Sequence, residues 1–598
     1  MPAPTPAEAL DAWARACEAR AARPPETVRL NDALGRVTHA PVRALRSSPA
    51  FPAAAMDGIA VRAADVSGAG PETPVELDPS RYTPVDTGDP LPPDRDAVVM
   101  RERVEYTGDV ARVTAAAGRG KHVRPVGEDV AAGELLLASG RLLGPVDLAL
   151  AAAGGHDELA VRPRPTVTIL PTGDELRPAH WELRDGELAD TNSIMLDAQA
   201  REAGCATRCL PILPDDPGRL EAAVRRAARE SDLVLVVAGT SAGRHDYAPG
   251  VLETCGRIVV RGVAMRPGHP AVLAVVDGTP VMGCPGYPVS AALAFDELAR
   301  PMLDRIGGAA AVGRTSVSAR LATGASSRQG ASELLRVALG IVDGERVAVP
   351  LRRGASALSG LAHADGLVTI PPDVDALPAG APVEVHAPGT HPPTERDLLL
   401  AGLPDRALEL VLLACAQQRL AATLCELAPG EALALVAAGG CHAAWIDGEH
   451  PLPSGIEGGV ALHAVAERDL GVVLAPGNPG AIGSADDLGR DDVRAVAAPA
   501  GWATASAHAA RVRSDDAAVA AVAGGHADGA LAGMRAARAA GLDALPAGRG
   551  RIALATRPRA RRRDPALAAL LELLASPDLA AALEREGYEV LGGARRAA

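Results

Sequence analysis

The segment Ser231 to Gly250 (SDLVLVVAGTSAGRHDYAPG) joins an unbroken apolar run to a polar loop rich in glycine. Gly239 and Gly243 let backbone amides turn toward an anion, Ser241 adds a hydroxyl, and Asp246 adds an oxygen ligand of the kind magnesium takes. A second loop, TGDEL, supplies Thr172, Asp174 and Glu175, two acids beside a hydroxyl. In DTNS, Asp190 and Asn192 have the side chains that cap a helix start. Downstream, GVAMRPGHP holds Arg266 as a fixed positive charge, and CPGYPVSA sets Pro285, Pro288 and Ser290 where a turn opens a helix whose first amides are unpaired. Together these residue types point to an oxyanion bound with a divalent cation. Taken singly, each also has a plain reading as a turn, a cap or a solvated charge.

The elements that position these loops follow from apolar patterning. Strands are predicted at Pro165 to Pro171, Ala206 to Leu213, Leu233 to Val237 and Ala271 to Val276, with helices at Ile194 to Ala203 and Gly218 to Glu230. This βαβ alternation predicts a parallel sheet, with ligands beyond the carboxyl ends of its strands. At 598 residues the chain requires three or more domains, and with 48% hydrophobic but 2% aromatic residues its cores are built from Ala, Val and Leu. A formal charge of −14 disfavours nonspecific binding to DNA or anionic membranes, and RPRARRR (557–563) reads as a solvated loop rather than a nucleic-acid site. With Glu8 and Asp11 early and no apolar signal core or spanning run, a cytoplasmic protein without a membrane partner is expected. Eight scattered cysteines lack the paired spacing of a zinc site, so reduced, structural thiols are expected.

PTGDEL, DTN, AGTSAGRHDY, AMRPGHP and PGYPVSA, in this order, resemble the molybdopterin molybdenumtransferase family, the MoeA-type proteins. PAFPAAAMDGIAV (49–61), TGDPLPPDRDAVVMRE (87–102) and HVRPVGEDVAAGELLLASGRLLGPVDLALAAAGG (122–155) extend the resemblance over about the first two-thirds of the chain. It implies molybdate- and magnesium-dependent insertion of molybdenum into adenylylated molybdopterin with release of AMP, in a homodimer whose sites form between subunits. By position it implies activity-linked roles for Asp57, Thr87, Asp129, Glu175, Asp246 and Asp215 or Asp216, with Asp246 and Glu175 at the magnesium. Ser241, Arg266 and Ser290 are the molybdate-side candidates, and Thr172, Asp190, Asn192, Gly239, Pro285 and Pro288 complete the substrate site. Asp57 and Asp129 also suit turns, since glycines lie beside them. The family pattern FDNSAMDGYAV is altered at Pro52, Ala53, Ala54 and Ile59, its MKPGKP lysines are Arg266 and His269, and its PGNP asparagine is Tyr287.

The fold expected is multidomain α/β. It comprises MoeA-type N-terminal and linker domains that are β-rich (1–163), a MogA-like three-layer α/β domain (164–308), a small β-barrel (309–388) whose segment GASALSGLAHADGL resembles a family loop carrying a functional serine, here Ser356 or a neighbour, and a C-terminal domain (392–598). The last resembles periplasmic-binding-protein-like domains related to LysR-type effector domains, through Gly439 to His442, APGNP (475–479) and HADGALAG (526–533). Its segment 494–505 lacks the arginine-flanked loop such domains often carry. Trp502, Thr504 and Ser506 are left there for a less charged ligand. Two other functions share these motifs: a molybdopterin adenylyltransferase, and a non-catalytic sensor or scaffold that binds the cofactor precursor.

Overall fold

Leu233–Val237 is buried at every position because it lies inside a six-stranded sheet with both faces covered. The computed structural model describes residues 3–17, 23–237, 247–308, 315–387, 393–447, 459–499, 509–558 and 564–591. The strand order is Ala206–Cys209, Thr166–Pro171, Leu233–Val237, Thr279–Cys284, Val272–Val276, Arg257–Arg261. The first four strands are parallel, Val272–Val276 runs against them and Arg257–Arg261 runs against Val272–Val276, which corrects the expectation of a wholly parallel sheet. The reason is local. Asp277 and Gly278, at φ of 50° and 78°, form a tight turn that joins Val272–Val276 to Thr279–Cys284 as a hairpin, with no crossover helix between them. The strand expected to reach Leu213 stops at Cys209, since Pro211 and Pro214 offer no ladder donors.

Helices Asn192–Glu202 and Pro217–Glu230 make the crossovers between parallel strands. Asp216 caps the second, accepting from the amides of Gly218 and Arg219 at 2.9 and 3.0 Å. The opening helix Pro6–Ala16, started by a capping box between Thr5 and Glu8, packs on this same domain. Its Trp13 is fully buried and donates its indole N–H to the Ala274 carbonyl at 2.8 Å. From residue 26 to 161 the chain forms small β units with separate apolar clusters. These include the antiparallel pair Glu26–Arg29 with Glu158–Val161 and three-stranded sheets centred on Gly58–Val61 and Val110–Val113.

The next unit is a closed ring of Ser332–Val342, Glu345–Pro350, Ser316–Leu321, Pro382–His386 and Gly366–Ile370, the last pairing back to the first. Met265–Arg266 adds to this barrel in parallel beside Ser332 and Glu333, so a motif of the central domain is stitched into it. Among the described residues, the C-terminal region has one nine-stranded sheet. Two long antiparallel strands, Ala461–Leu474 and Ala544–Thr556, run through it, with separate apolar clusters in its first and second halves. This region is not simply tethered through the proline-rich stretch. Ala338, Val347 and Val349 of the barrel share one core with Leu399, Leu433 and Ala444 of the extension.

Arg396, just past that stretch, donates its amide to Leu339 at 2.8 Å and its guanidinium to Asp365 at 2.6 Å. Arg557, the first residue of the basic patch, pairs with Asp343 of the barrel. None of the eight cysteines is in a disulfide, and burial pushes the Cys205 and Cys425 thiols up to about 12. Among the described residues no single helix is long and apolar enough to cross a membrane.

Replacing Trp13 by Ala removes a buried indole and orphans the Ala274 carbonyl. It is expected to destabilise the central domain by about 3–5 kcal/mol in denaturant unfolding followed by circular dichroism. A loss below about 1 kcal/mol would show that the opening helix does not belong to that core.

Candidate active site

The parallel strands Thr166–Pro171, Leu233–Val237 and Thr279–Cys284 end at one sheet edge, where the described loops singled out in the sequence begin. Thr172, buried just past Pro171, donates its amide and hydroxyl to the Val237 carbonyl at 3.1 and 3.2 Å. That ties TGDEL to the end of the central strand. Gly173 has φ +147°, and a Cβ there would lie 2.7 Å from Glu175 Oε2. Glycine is therefore what lets the exposed Glu175 carboxylate fold back over the turn. Asp174 and Asp215 are joined reciprocally, the Asp215 amide donating to Asp174 at 3.2 Å and the Asp174 amide to Asp215 at 3.4 Å. Gly239, Ser241 and Asp246 lie outside the described residues, while the strand that leads to them ends at Val237 on this edge.

Asp190 accepts from the Ser193 amide at 3.0 Å and so caps the next helix as expected. Asn192 does not cap. It starts the helix, and its Nδ2 donates to the Gly286 carbonyl at 2.7 Å, pinning the turn between Pro285, which is buried, and Pro288, which is half-buried. A further correction concerns the helix Pro288–Ala294, whose first amides were expected to be unpaired. Val289 N–H donates to the Ala355 carbonyl of the barrel at 3.0 Å, so a barrel loop occupies one of them. Ser290 is buried at this start, and the same helix touches the short helix Leu358–Ala362 that follows Ser356.

Arg266 lies half-buried on the seam between the two domains, its Nε buried without a hydrogen-bond partner among the described residues. Sequence reasoning missed Arg336, whose one signal was a charge inside the apolar strand ELLRVALGIV. It is buried, and burial lowers its pKa. Its guanidinium donates to the carbonyls of Arg352, Ala357 and Gly354 at 2.8, 3.2 and 3.2 Å, and so shapes the loop of Ser356.

Asp57 and Thr87 meet directly. The Asp57 carboxylate accepts from the Thr87 amide at 2.7 Å and its hydroxyl at 2.8 Å, which holds its pKa below the usual carboxylate range. Gly58 cannot be replaced there, since a Cβ would fall 1.9 Å from the Val99 carbonyl oxygen. Asp129 is exposed on a neighbouring loop, its amide bonded to Ser48 at 3.1 Å while Gly127 bonds Pro49 at 3.0 Å. Among the described residues no hydrogen bond or ion pair joins Asp57, Thr87 or Asp129 to the Glu175 edge, and no cluster of three His, Cys, Asp or Glu residues is set to hold a metal. Beside that edge lies an open cavity of about 1100 Å³, walled by Asp174, Arg177, Asp190 and the exposed apolar residues Trp181 and Ile194. Trp181 had no motif to flag it.

Comparison with known proteins matches four stretches. They are the MoeA N-terminal region, domains I and II, at 5–155; a probable molybdopterin binding domain at 168–305; the MoeA C-terminal region, domain IV, at 318–387; and a PBP superfamily domain at 416–575. Molybdopterin molybdenumtransferase 2 of Mycobacterium tuberculosis is 36% identical over 394 residues, covering 61% of this chain and 95% of that protein. The molybdopterin molybdenumtransferase of Haemophilus influenzae is 30% identical over 295 residues, covering 47% of this chain and 73% of that protein. The crystal structure of a molybdopterin biosynthesis MoeA protein from Pyrococcus horikoshii superposes with a TM-score of 0.56 at 30% identity, covering 64% of this chain and 99% of that one. The chain belongs to the molybdopterin molybdenumtransferase (MoeA) family, with a PBP-superfamily domain fused at its C-terminal side.

Proposed function

We propose that this chain inserts molybdenum from molybdate into adenylylated molybdopterin and releases AMP, acting in the cytoplasm as a homodimer. The observation that carries this reading is the convergence at one sheet edge of Thr172, Glu175, Asn192 and the Pro285–Pro288 turn, beside a cavity of about 1100 Å³ able to take a large ligand. The exposed indole of Trp181 and the side chain of Ile194 suit a flat pterin, while the edge itself carries the polar groups.

Each remaining residue then has a physical task. Asp246 and Glu175 are assigned to magnesium, which fits their chemistry because that ion keeps several waters and takes only one or two carboxylates beside substrate phosphates. When bound, the ion would offset phosphate charge as the adenylate leaves. Gly239 and Ser241 are assigned to the phosphate oxygens, and Asp190 holds the helix that carries Asn192. On the seam, the unpartnered Arg266 Nε supports molybdate as the anion taken there, and buried Ser290 is assigned to the same anion. A guanidinium in place of the family's lysines retains this charge and adds directional donors. Asp57, Thr87 and Asp129 are assigned to a second wall supplied across the dimer. Exposed Phe51 and Met56 beside Asp57 offer an apolar contact for that approach.

Asp246→Ala and Glu175→Ala are each expected to lower molybdate-dependent AMP release by about 100-fold or more while pterin binding persists. Release at the native rate in both variants would remove these acids from the reaction. If sites form between subunits, co-expressing Asp57→Ala with Glu175→Ala chains yields heterodimers with one intact site, and activity returns to about a quarter of native. No recovery from a mixture verified to contain heterodimers would place both residues in one subunit's site.

A further inference from the structure

A cavity of about 460 Å³ lies where the barrel meets the C-terminal domain, apart from the sheet edge. Its barrel wall is the loop 351–363 that Arg336 holds from beneath; its other wall is Leu424 and Glu426 of strand Ala422–Glu426, with Arg513 just beyond strand Ala510–Arg511. Three guanidinium groups face it, from Arg352, Arg353 and Arg513. Their compensation is slack. Arg513 reaches Glu426 only at 3.5 Å, Arg353 reaches Glu333 only at 3.6 Å, and Arg352 makes no ion pair among the described residues. Ser356, Ser359 and His363 add side-chain polar groups to the same wall. Leu351, Leu358 and Leu424 give it an apolar side. Arginines near a dianionic phosphate form short, often bidentate hydrogen bonds, much better contacts than those at 3.5 and 3.6 Å.

We propose that this junction binds a phosphomonoester with an apolar body of nucleotide size. The phosphate sits among Arg352, Arg353 and Arg513, and the body lies on the leucines. The volume falls within the range of small-molecule sites and exceeds what an inorganic anion fills. The ligand spans two covalent neighbourhoods, because Arg513 belongs to the second half of the C-terminal sheet while Arg352 sits on the loop whose Ala355 carbonyl engages the Pro288–Ala294 helix. Occupancy therefore braces that loop. Glu426 competes for Arg513 and is displaced from it when phosphate binds.

The test is titration calorimetry of the full chain with AMP, adenosine and inorganic phosphate. AMP is expected to bind more tightly than either fragment. Arg352→Ala and Arg513→Ala each weaken it by about tenfold or more, Arg513→Lys recovers part of the loss, and Glu426→Gln tightens it. Arg557→Ala, on the same domain interface but outside the cavity, leaves AMP affinity unchanged. Adenosine binding as well as AMP would overturn the proposal. So would AMP affinity that survives both arginine substitutions in folded protein, since that binding belongs to the sheet edge, or an absence of AMP binding to the native chain.

Discussion

Everything at the active edge depends on burying Leu233–Val237 on both faces. A strand with no solvent-facing side has to sit inside a sheet, and its parallel neighbours Thr166–Pro171 and Thr279–Cys284 then point their carboxyl ends the same way. The loops that follow Pro171 and Cys284, separated by many residues in sequence, are thereby brought to one edge. The hydrogen bonds that finish the arrangement run between loops, from Thr172 to Val237 and from Asn192 to Gly286. Such bonds align loops only after the apolar layers of the sheet have placed their backbones.

A second constraint is backbone pairing across domains. Met265–Arg266 leaves the central fold to extend the barrel sheet, and the barrel returns the contact through Ala355 to Val289. The seam therefore has little freedom to slide. Arg336 makes the returning loop possible, since one buried guanidinium satisfies three carbonyls of a turn that has no regular partners of its own. Losing it would take a donor from three carbonyls, of which Ala357 alone keeps another, the Gly360 amide at 3.1 Å, so its contribution is to the shape of the seam more than to a single bond.

Much of this was legible in the chain. The apolar runs and the glycine turns announce themselves, because each is set by residues within one turn or strand, whereas Asp216, expected only as an activity-linked acid, proves to be a helix cap. What escaped depends on residues distant in sequence. The antiparallel edge turns on a two-residue hairpin at Asp277–Gly278 that breaks the βαβ rhythm. Asn192 looked like a cap because it follows Asp and Thr before a helix, yet its partner lies 94 residues away. The Pro288 helix start looked open because nothing local covers it; Ala355 does. Arg336 and Trp181 carried no motif at all, and their roles come from tertiary placement.

The fused domain follows a different logic from a tethered one. Domains joined by a polar linker move independently by default, whereas here barrel and extension share an apolar core. At its margin, buried His442 accepts from the Leu399 amide at 2.9 Å through Nδ1, while its Nε2 lies 3.0 Å from the Ile341 carbonyl and 3.2 Å from Asp564. A side chain satisfied from both domains is costly to separate. The first half of the C-terminal sheet is thus bound to the barrel, and the second half connects to it chiefly through Ala461–Leu474 and Ala544–Thr556. The two halves meet in front of the barrel loop at Glu426 and Arg513, 3.5 Å apart. A shared core fixes the position of the extension's first half against the barrel, which a flexible tether could not do.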